Sequence, residues 1–320
     1  GQIDDDNNGI SGIEKYFDYE LKTIEEPLRL TVDTDIQFLI REELIKAQEI
    51  FQNIGSAAVL MDVNNGNILS MISLPDFNLN KREDIQDISY INRATKGVYE
   101  LGSVFKTFTI AAGLNEGIIE PETKFKGLEK KLSCAGNSIS EHDDKLPSDL
   151  TAEQILVRSS NIGSVKIAQD LGVEKFKLFL ENIGILNKIE FDLEEVGQPL
   201  SFRWGKCKLA TSAFGHGITT TPLQIAKGYS IITNGGFDIK PTLIKKDLEK
   251  RETRNRILKK GVSEKINPIL RKVVSTDEGT ANFANIKGYQ VGGKTGTAAK
   301  PKHGGYSKDK INTFVSIFPT

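Results

Sequence analysis

Three short motifs in this chain contain the residue types that acyl transfer needs. They are Ser103–Lys106, Ser159–Asn161 and Lys294–Gly296, in that order along the sequence. Together they could supply a nucleophile, a base that deprotonates it, a second hydroxyl that carries a proton and a cation that holds an anion. Each motif alone is weak evidence for function. The prediction of a serine acyl-transfer site therefore rests on the order of the motifs, their spacing and the sequence around them.

Ser103 and Lys106 are spaced so that a helix would place both on one face. Lysine has an ordinary pKa of about 10.4 and is a poor base at neutral pH, but burial disfavours its charged form. The neighbours Val104, Phe105 and Phe108 predict such burial, so Lys106 is a candidate base for Ser103. Free backbone N–H groups at the start of the helix could also hold an oxyanion.

The alternative for such a pair is a helix cap beside a surface lysine, which is common for chance Ser-x-x-Lys matches. Ser307 and Lys310 have the same spacing, within a Gly/Lys-rich segment that we expect to be a surface loop. Only the first pair lies in an apolar helical pattern, so only the first pair is a candidate site.

Ser159 and Asn161 stand between two predicted helices, after the run Ala152 to Val157 and before Ile162 to Ala168. In a Ser/Lys site a second hydroxyl passes a proton to the leaving amine, and a carboxamide can bind a substrate amide. We predict these two roles for Ser159 and Asn161. Taken alone, a pair of capping serines is the commoner explanation of this segment.

Lys294 belongs to a segment that also fits the Walker pattern, since Gly288 to Thr295 reads G-x-x-x-x-G-K-T. A phosphate-binding loop needs a strand before its first glycine and a helix that begins at the lysine, and neither flank fits. The alternative is an edge strand whose glycines let a ligand lie close to the backbone. Lys294, Thr295 and Thr297 would then face the carboxylate of that ligand.

The elements that must position these residues follow from the hydrophobic pattern. Thr34 and Gln37 fit a capping box that opens a helix with an apolar face reaching Phe51. The runs Ala57 to Val63 and Ile68 to Ile72 flank an Asn-Gly turn and predict a hairpin. Further helices are predicted over 101–114, twice within 150–184 and over 221–232, and strands over 288–297 and 312–318. This order predicts an α+β fold in which one sheet is assembled from both ends of the chain around a helical insertion.

The composition is that of an ordinary globular protein. The 320 residues are 38% hydrophobic and 27% charged with a net charge of −1, which gives no sign of a nucleic-acid partner. No apolar run approaches the roughly 18 residues of a membrane helix. One basic cluster lies among acids, as on a solvated face: Lys245, Lys246, Asp247, Glu249, Lys250, Arg251 and Glu252. No metal site is predicted from Cys134, Cys207 or the three histidines, and the state of the two cysteines stays open.

Six short segments around the motifs narrow the prediction. They are Asn92–Ala94, Gly97–Gly102, Gly215–Gly217, Thr221–Gln224, Gly279–Ala281 and Gly292–Thr297. Whereas the three motifs are shared by penicillin-binding proteins and class A β-lactamases, these segments resemble class B penicillin-binding proteins, most closely the cell-division type. The resemblance runs from about Leu28 to the end of the chain.

The resemblance implies a D,D-transpeptidase that cross-links peptidoglycan stem peptides. Ser103 would attack the D-Ala-D-Ala amide of one stem peptide, release the terminal D-Ala and pass the acyl group to an amine of a neighbouring strand. By the same resemblance Lys106 is the base and Ser159 is the proton shuttle. Asn161 is a ligand of Lys106 and of the substrate amide.

The third motif would bind the donor. Lys294, Thr295 and Thr297 would hold the terminal carboxylate along a strand that includes Gly296, and the backbone N–H groups of Ser103 and Thr297 would form the oxyanion hole. β-Lactam antibiotics mimic the donor and would acylate Ser103. No metal or organic cofactor is implied. The family implies a septal glycosyltransferase and other division proteins as partners.

The resemblance also implies an architecture and a location. The family has an antiparallel five-stranded sheet with a helical subdomain, an N-terminal pedestal domain and an anchor at the periplasmic face of the bacterial inner membrane. We expect residues 1–27 to be a polar lead-in left from the pedestal region, with one ordered patch near Phe17, and residues 28–320 to be the transpeptidase domain. The family's last strand lies between the N-terminal hairpin and the strand at 312–318, so we expect this domain to be truncated at its C-terminus and its anchor to be absent.

Other activities of the same fold remain open at this point. A class A β-lactamase would need Glu-x-x-Leu-Asn between Asn161 and Lys294, and the sequence has no such match. A class D β-lactamase or a β-lactam sensor would usually lack the asparagine of the second motif. A D,D-carboxypeptidase has all three motifs and differs in using water as the acceptor. A non-catalytic division scaffold would not need its motifs intact.

Overall fold

The structure of the protein is a computed structural model that describes residues 1–78, 90–134, 137–245, 255–302 and 305–320. The basic cluster expected on a solvated face falls outside these ranges except for the exposed Lys245, and His303 falls outside them as well.

Residues 1–27 contain regular structure and lie against the rest of the chain. Their strands and helices are β1 (Gln2–Ile3), β2 (Gly9–Ser11), α1 (Gly12–Tyr16) and α2 (Asp18–Thr23). The Gly12 N–H donates to Glu195 at 2.8 Å, and Lys15 pairs with Glu194 at 2.8 Å. Phe17 is buried, where the ordered patch was expected.

Helix α3 (Thr34–Phe51) is confirmed, but its cap differs from the prediction. The N-cap is Asp33, whose carboxylate accepts from two N–H groups of the first turn at 3.0 Å. Gln37 does not close a capping box with Thr34, because its side-chain amide donates to the Met71 carbonyl at 2.8 Å. The capping-box prediction is wrong because a charged carboxylate one residue earlier caps the helix and a neighbouring strand binds the amide.

The first predicted hairpin is confirmed. Strands β3 (Ser56–Met61) and β4 (Ile68–Leu74) pair antiparallel, with Ala58 opposite Ile72. Gly66 in the connecting turn has a φ of +79°, which glycine adopts without strain. Alternate residues of β4 are buried, so one face of this hairpin covers the core.

A helical region with two small sheets follows. Its paired strands are β5 (Lys124–Phe125) with β8 (Leu150–Thr151), and β6 (Lys131–Cys134) with β7 (Asn137–Ser140). Its helices are α4 (Phe105–Glu116), α5 (Ala152–Val157), α6 (Asn161–Leu171), α7 (Val173–Asn182), α8 (Lys206–Ser212), α9 (Pro222–Thr233) and α10 (Val262–Ser275). Three helices therefore occupy residues 150–184, where two were predicted.

Helix α4 lies at the centre of the core, as its apolar pattern predicts. Every residue from 105 to 114 is buried, and Phe105, Phe108 and Ile110 have no exposed surface. Burying one large apolar side chain contributes roughly 1.5–3 kcal/mol. Because α4 is packed on all sides, its N-terminal end, which carries the first motif, is held in place.

Helix α10 lies in a stretch for which no element was predicted. Its residues Val262, Ile266, Ile269 and Val273 recur at helical spacing and are buried, so the signal was present in the sequence. Pro268 lies inside the helix, and an internal proline argues against a helix prediction.

The second hairpin consists of β9 (Gly292–Lys302) and β10 (Gly305–Ile317), and α10 packs against β9. Within the described ranges β3 and β4 pair only with each other, and so do β9 and β10. The single sheet expected from both ends of the chain is therefore not formed by the described strands, because the strand pairing of each hairpin stays within that hairpin.

The pair Ser307 and Lys310 lies on β10 and not in the loop that its composition predicts. The pairing of β10 with β9 is irregular between Tyr306 and Lys310, so the pair lies at this irregularity and on no helix face. The Ser307 hydroxyl bonds to Asp309, and Lys310 is exposed. The prediction that this pair is a surface feature is confirmed.

Cys134 and Cys207, whose pairing the sequence left open, form a disulfide between the end of β6 and the first turn of α8. The bond joins residues 73 positions apart. Protein disulfides persist mainly in oxidising compartments. Among the helices that the structure describes, none has the length and apolar character needed to span a bilayer.

Candidate active site

Ser103 lies in a 3₁₀ turn, Gly102–Val104, directly before α4. Tyr229 of α9 supports this turn, because its buried hydroxyl lies 2.8 Å from the Val104 carbonyl and 2.8 Å from the Thr107 hydroxyl. Burial raises the pKa of Tyr229, so it remains a hydrogen-bond donor. The nucleophile candidate is thus held on a rigid turn at the end of the core helix.

Lys106 lies in the first turn of α4 and has no exposed surface. Its ammonium donates to the Ser159 carbonyl at 2.5 Å and to the Ser159 Oγ at 2.9 Å, and no hydrogen bond to Ser103 is found in the described part of the chain. Burial, and to a lesser degree the positive charge of Lys294, hold the pKa of Lys106 well below its ordinary value. The neutral amine, which is the form that can act as a base, is therefore favoured.

Ser159 lies between two lysines because of its backbone conformation. Its φ is +59°, a left-handed value that is uncommon for residues other than glycine. The Ser159 Oγ lies 2.9 Å from the Nζ atoms of both Lys106 and Lys294. Strained backbone of this kind is concentrated at functional sites. One hydroxyl therefore accepts hydrogen bonds from two buried lysines.

Lys294 lies on β9 with no exposed surface. Its Nζ also donates to the Thr295 carbonyl at 3.0 Å. Burial lowers the pKa of Lys294 from 10.5 to about 7. Because this lysine lies within a strand and no helix begins at it, the structure excludes the Walker alternative.

Thr280 contacts this motif, although no chemical role was predicted for it. Its hydroxyl lies 2.9 Å from the Thr295 hydroxyl and 3.5 Å from the Lys294 Nζ. Side chains alternate along a strand, so Thr295 and Thr297 share one face of β9 and Lys294 lies on the other. Thr280 therefore contacts a residue of each face, Thr295 on one and Lys294 on the other. The sequence singled it out only as part of Gly279–Ala281, because its contact depends on the turn after α10.

Strand β9 approaches the turn that holds Ser103 so closely that both need glycine. A Cβ at Gly296 would lie 2.2 Å from the Leu101 carbonyl oxygen, and a Cβ at Gly102 would lie 2.5 Å from the Thr297 carbonyl oxygen. The backbone of Thr297 therefore lies beside Ser103, as an oxyanion hole made from these two residues requires.

Asn161 is the first residue of α6, and its carboxamide donates to the Ser140 carbonyl at 2.8 Å. The predicted contact between Asn161 and Lys106 is absent from the described residues, since Lys106 binds Ser159 instead. The reason is position: Asn161 lies beside the end of β7, where the Ser140 carbonyl accepts its amide. Asn161 therefore lies at the edge of the lysine cluster.

The described ranges contain no group of three or more His, Cys, Asp or Glu residues that could hold a metal ion. His142 lies beside the second motif, and its pKa is lowered by partial burial and then by the positive charge of Lys106. The Nδ1 of His216 lies 3.7 Å from the Glu100 carboxylate.

The structure thus brings Lys106, Ser159 and Lys294 into one hydrogen-bonded cluster, and Gly102, the residue before Ser103, lies against the backbone of Thr297. A lysine with a lowered pKa can accept a proton, and a hydroxyl bonded to two lysines can carry one. Groups of these kinds can activate a serine nucleophile, although in the described residues both lysines are hydrogen-bonded to Ser159 and neither to Ser103.

Comparisons with known proteins agree with this geometry. The family model described as the penicillin-binding protein transpeptidase domain matches residues 56–320. The probable peptidoglycan D,D-transpeptidase FtsI of Caulobacter vibrioides is 31% identical, over 100% of this chain and 56% of that protein. Stage V sporulation protein D of Bacillus subtilis is 30% identical, over 98% of this chain and 55% of that protein. The chain thus spans about half the length of these curated relatives.

Solved structures support the same assignment. Penicillin-binding protein 3 of Mycobacterium tuberculosis has a TM-score of 0.89 at 25% identity, over 99% of this chain and 78% of that chain. The transpeptidase domain of penicillin-binding protein 3 from Burkholderia pseudomallei has a TM-score of 0.81 at 27% identity, over 91% and 84% of the two chains. The predicted α+β transpeptidase fold and the predicted family are confirmed. The chain belongs to the family of penicillin-binding protein transpeptidase domains.

Proposed function

We propose that this chain is a serine D,D-transpeptidase domain that cross-links peptidoglycan through an acyl-enzyme on Ser103. The observation that carries the proposal is the Ser159 hydroxyl, which lies 2.9 Å from both Lys106 and Lys294 in a chain of this family. A cluster of two buried lysines and one hydroxyl is costly to a fold and is explained by proton transfer.

In the proposed first half-reaction, Ser103 attacks the carbonyl carbon of the D-Ala-D-Ala amide. Neutral Lys106 accepts the Ser103 proton. As the C–N bond of the amide breaks, Lys106 gives this proton to Ser159, which passes its own hydroxyl proton to the nitrogen of the leaving D-Ala. The lowered pKa of Lys106 supports its role as the base. In the second half-reaction the amine of a neighbouring stem peptide attacks the ester and releases Ser103.

The third motif is proposed to bind the donor. Lys294, Thr295 and Thr297 would hold the terminal carboxylate, and Gly296 would let the donor lie close to β9. The N–H groups of Ser103 and Thr297 would stabilise the oxyanion, which the close approach of Thr297 to Gly102, the residue before Ser103, supports. With a pKa of about 7, Lys294 can supply a positive charge to that carboxylate.

Asn161 is proposed to bind the amide backbone of the donor from the edge of the site. Its contact with Ser140 supports a fixed orientation of the carboxamide, but not the bond to Lys106 that the family resemblance implies. Its place at the first residue of α6 supports a role in substrate binding rather than in proton transfer.

The substrates, partners and location of the whole protein are proposed on the same basis. The donor and acceptor would be peptidoglycan stem peptides. β-Lactams would acylate Ser103, which is supported by the similar penicillin-binding protein 3 of Mycobacterium tuberculosis, solved in complex with aztreonam. Similarity to a protein named FtsI supports septal synthesis with a septal glycosyltransferase and other division proteins. The Cys134–Cys207 disulfide supports a periplasmic location. Residues 1–27 are proposed to be a lead-in from the pedestal region, and residues 28–320 to be the transpeptidase domain.

Labelling by fluorescent penicillin tests the proposal. We expect a long-lived covalent label on the native chain and none on Ser103→Ala. Ser307→Ala is the matched control, because it removes the serine of the second Ser-x-x-Lys pair on exposed β10. Its labelling should equal that of the native chain.

The lifetime of the label and the acceptor separate the related activities. With a D-Ala-D-Ala peptide and an added D-amino acid, a transpeptidase forms the exchanged peptide, whereas a carboxypeptidase forms only the hydrolysed one. Rapid release of the penicillin label would indicate a β-lactamase. A folded native chain that takes no label would contradict the proposal.

A further inference from the structure

Glu141 is the residue after β7, and its carboxylate lies at the N-terminus of α6. Its Oε1 accepts from the Ser160 hydroxyl at 2.5 Å and from the Ile162 N–H at 3.1 Å, while its Oε2 accepts from the Asn161 N–H at 2.7 Å. These N–H groups have no partner within the helix, and the helix dipole favours a negative charge beside them. Three hydrogen bonds to consecutive residues fix this turn of the backbone.

Ser160 connects this carboxylate to Ser159. Its hydroxyl donates to Glu141 and accepts from the Gly163 N–H at 2.9 Å, and its own N–H donates to the Ile155 carbonyl at 2.9 Å. Ser160 cannot rotate without breaking bonds to both α5 and α6. Ser159, the residue before it, is therefore held in its left-handed conformation from the C-terminal side.

Glu141 also acts on Lys106 through its charge. The pKa of Lys106 is lowered by burial and by the charge of Lys294, and the negative charge of Glu141 opposes both effects. His142, which follows Glu141 in the chain, also faces this cluster, and its pKa is itself affected by Lys106 and Glu141. Removing the Glu141 charge would therefore lower the pKa of Lys106 further.

We propose that Glu141 is a positioning residue for acyl transfer, which fixes the turn that holds Ser159 between Lys106 and Lys294 and balances the charge of the two lysines. The inference rests on the proposed function, because the step it supports is the acylation of Ser103. No motif points to Glu141; its role arises because the β6–β7 hairpin folds against α6.

Two substitutions test the proposal by the pH dependence of acylation with fluorescent penicillin. Glu141→Gln keeps the shape and removes the charge, so we expect the rate to fall about 10- to 100-fold, the size of effect that misplaced catalytic groups produce. We also expect the acidic limb of the pH profile to move to lower pH. Glu141→Asp keeps the charge but shortens the side chain, so the rate should fall while the acidic limb stays in place.

Glu153→Gln is the matched control. Glu153 lies in the first turn of the neighbouring helix α5, where it pairs with Lys272 at 2.7 Å and contacts no residue of the lysine cluster. Its pH profile and rate should equal those of the native chain. If Glu141→Gln lowers thermal stability as Glu153→Gln does but leaves the rate and the pH profile unchanged, Glu141 only caps the helix and the proposal is wrong.

The titration of Lys106, followed by NMR of protein with ¹³C-labelled lysine, separates this inference from the proposed function. The Lys106 signal should titrate at lower pH in Glu141→Gln than in the native chain, whether or not Ser103 reacts. If the native chain takes no penicillin label but the Lys106 titration is shifted in Glu141→Gln, the proposed function is refuted and only the effect of Glu141 on the pKa of Lys106 remains. Normal labelling of Glu141→Gln with an unshifted titration would refute this inference alone. If the glutamine variant does not fold, Glu141→Asp supplies the comparison of rates.

Discussion

At the scale of single residues, the proposed acyl transfer depends on two lysines that have no exposed surface, Lys106 and Lys294. A buried ammonium without a carboxylate partner is unfavourable, and their hydrogen-bond partners are hydroxyl and carbonyl oxygens, above all those of Ser159. The fold therefore loses stability at this point, and in return the pKa of each lysine is lowered.

Replacing Lys294 by methionine should remove a pH-dependent loss of stability. The folded pKa is about 7 and the ordinary value is 10.5, so between these pH values the unfolded chain binds a proton that the folded chain does not. The free energy of unfolding of the native chain should therefore rise with pH across this window, by at most about 1.4 kcal/mol per pH unit for one proton. Lys294→Met should lose this slope and be the more stable chain at pH 7, as urea unfolding at several pH values would measure.

Lys310→Met is the control for this measurement, because Lys310 is an exposed lysine on the same hairpin. Its unfolding free energy should follow that of the native chain at every pH. Equal slopes in Lys294→Met and the native chain would show that burial does not change the protonation of Lys294 on folding.

The residues of the site differ in how far the sequence reveals them. Ser103, Lys106 and Lys294 are identified by spacing within local elements. Ser159 was identified by its type, but its left-handed backbone depends on where two helices end. Glu141 has no local signal, because it contacts α6 only after the hairpin has folded over that helix.

At the scale of elements, the contact between β9 and the turn before α4 joins the third motif to the first. Gly296 permits it, and an alanine there would place a Cβ 2.2 Å from the Leu101 carbonyl oxygen. Such overpacking costs about 1–3 kcal/mol. We expect Gly296→Ala to stay folded but to react with fluorescent penicillin about 100-fold more slowly, because β9 is displaced from Ser103.

The control for this substitution is Gly205→Ala. A Cβ at Gly205 meets no atom within 4 Å, and its φ of 179° is extended backbone that alanine adopts freely. Acylation of this variant should equal that of the native chain. An equal rate in Gly296→Ala would show that close contact between β9 and the turn is not needed for acylation.

Local signals predicted most elements because their periodicity is strong. The hairpin of β3 and β4 and the helix α9 predicted over 221–232 need only signals from neighbouring residues. The cap of α3 was misplaced because Gln37 binds a strand that is distant in sequence. Ser307 and Lys310 were placed in a loop because composition does not show that two strands pair.

At the scale of the whole molecule, the two hairpins remain separate sheets in the described residues. The apolar face predicted for α3 is only partly covered, since Leu39 and Phe51 are exposed at 62% and 75% of their accessible area. The sequence predicts which segments are strands, but their assembly into one sheet depends on contacts between distant parts of the chain. The core around α4 includes residues of both hairpins, since Ile317 of β10 belongs to it and Met61 of β3 packs against it.

The Cys134–Cys207 disulfide should stabilise the molecule, since it closes a long loop in the unfolded chain. Its ends lie 73 residues apart, and a disulfide typically contributes about 2–4 kcal/mol, more when it closes a longer loop. We expect the double variant Cys134→Ala, Cys207→Ala to lose about this much free energy of unfolding, measured with urea under oxidising conditions.

A reducing agent supplies the control for the double variant. It should lower the stability of the native chain to that of the variant and leave the variant unchanged. A native chain as unstable as the variant under oxidising conditions would mean that the bond does not form in solution. The spacing of two cysteines could not predict this bond, because it depends on the β6–β7 hairpin meeting α8.

The hydroxyl of Ser159 has one proton and two lone pairs. While Lys106 and Lys294 are both charged, both lone pairs are engaged and the Ser159 proton must point away from the two amines. Once one lysine is neutral, its amine can accept that proton. The Ser159 O–H bond then points to this amine, and Ser159 changes from hydrogen-bond acceptor to donor in this contact. In the proposed reaction, the lysine that loses its proton first therefore determines which amine the Ser159 O–H bond points to. The proton then moves between Ser159 and that lysine.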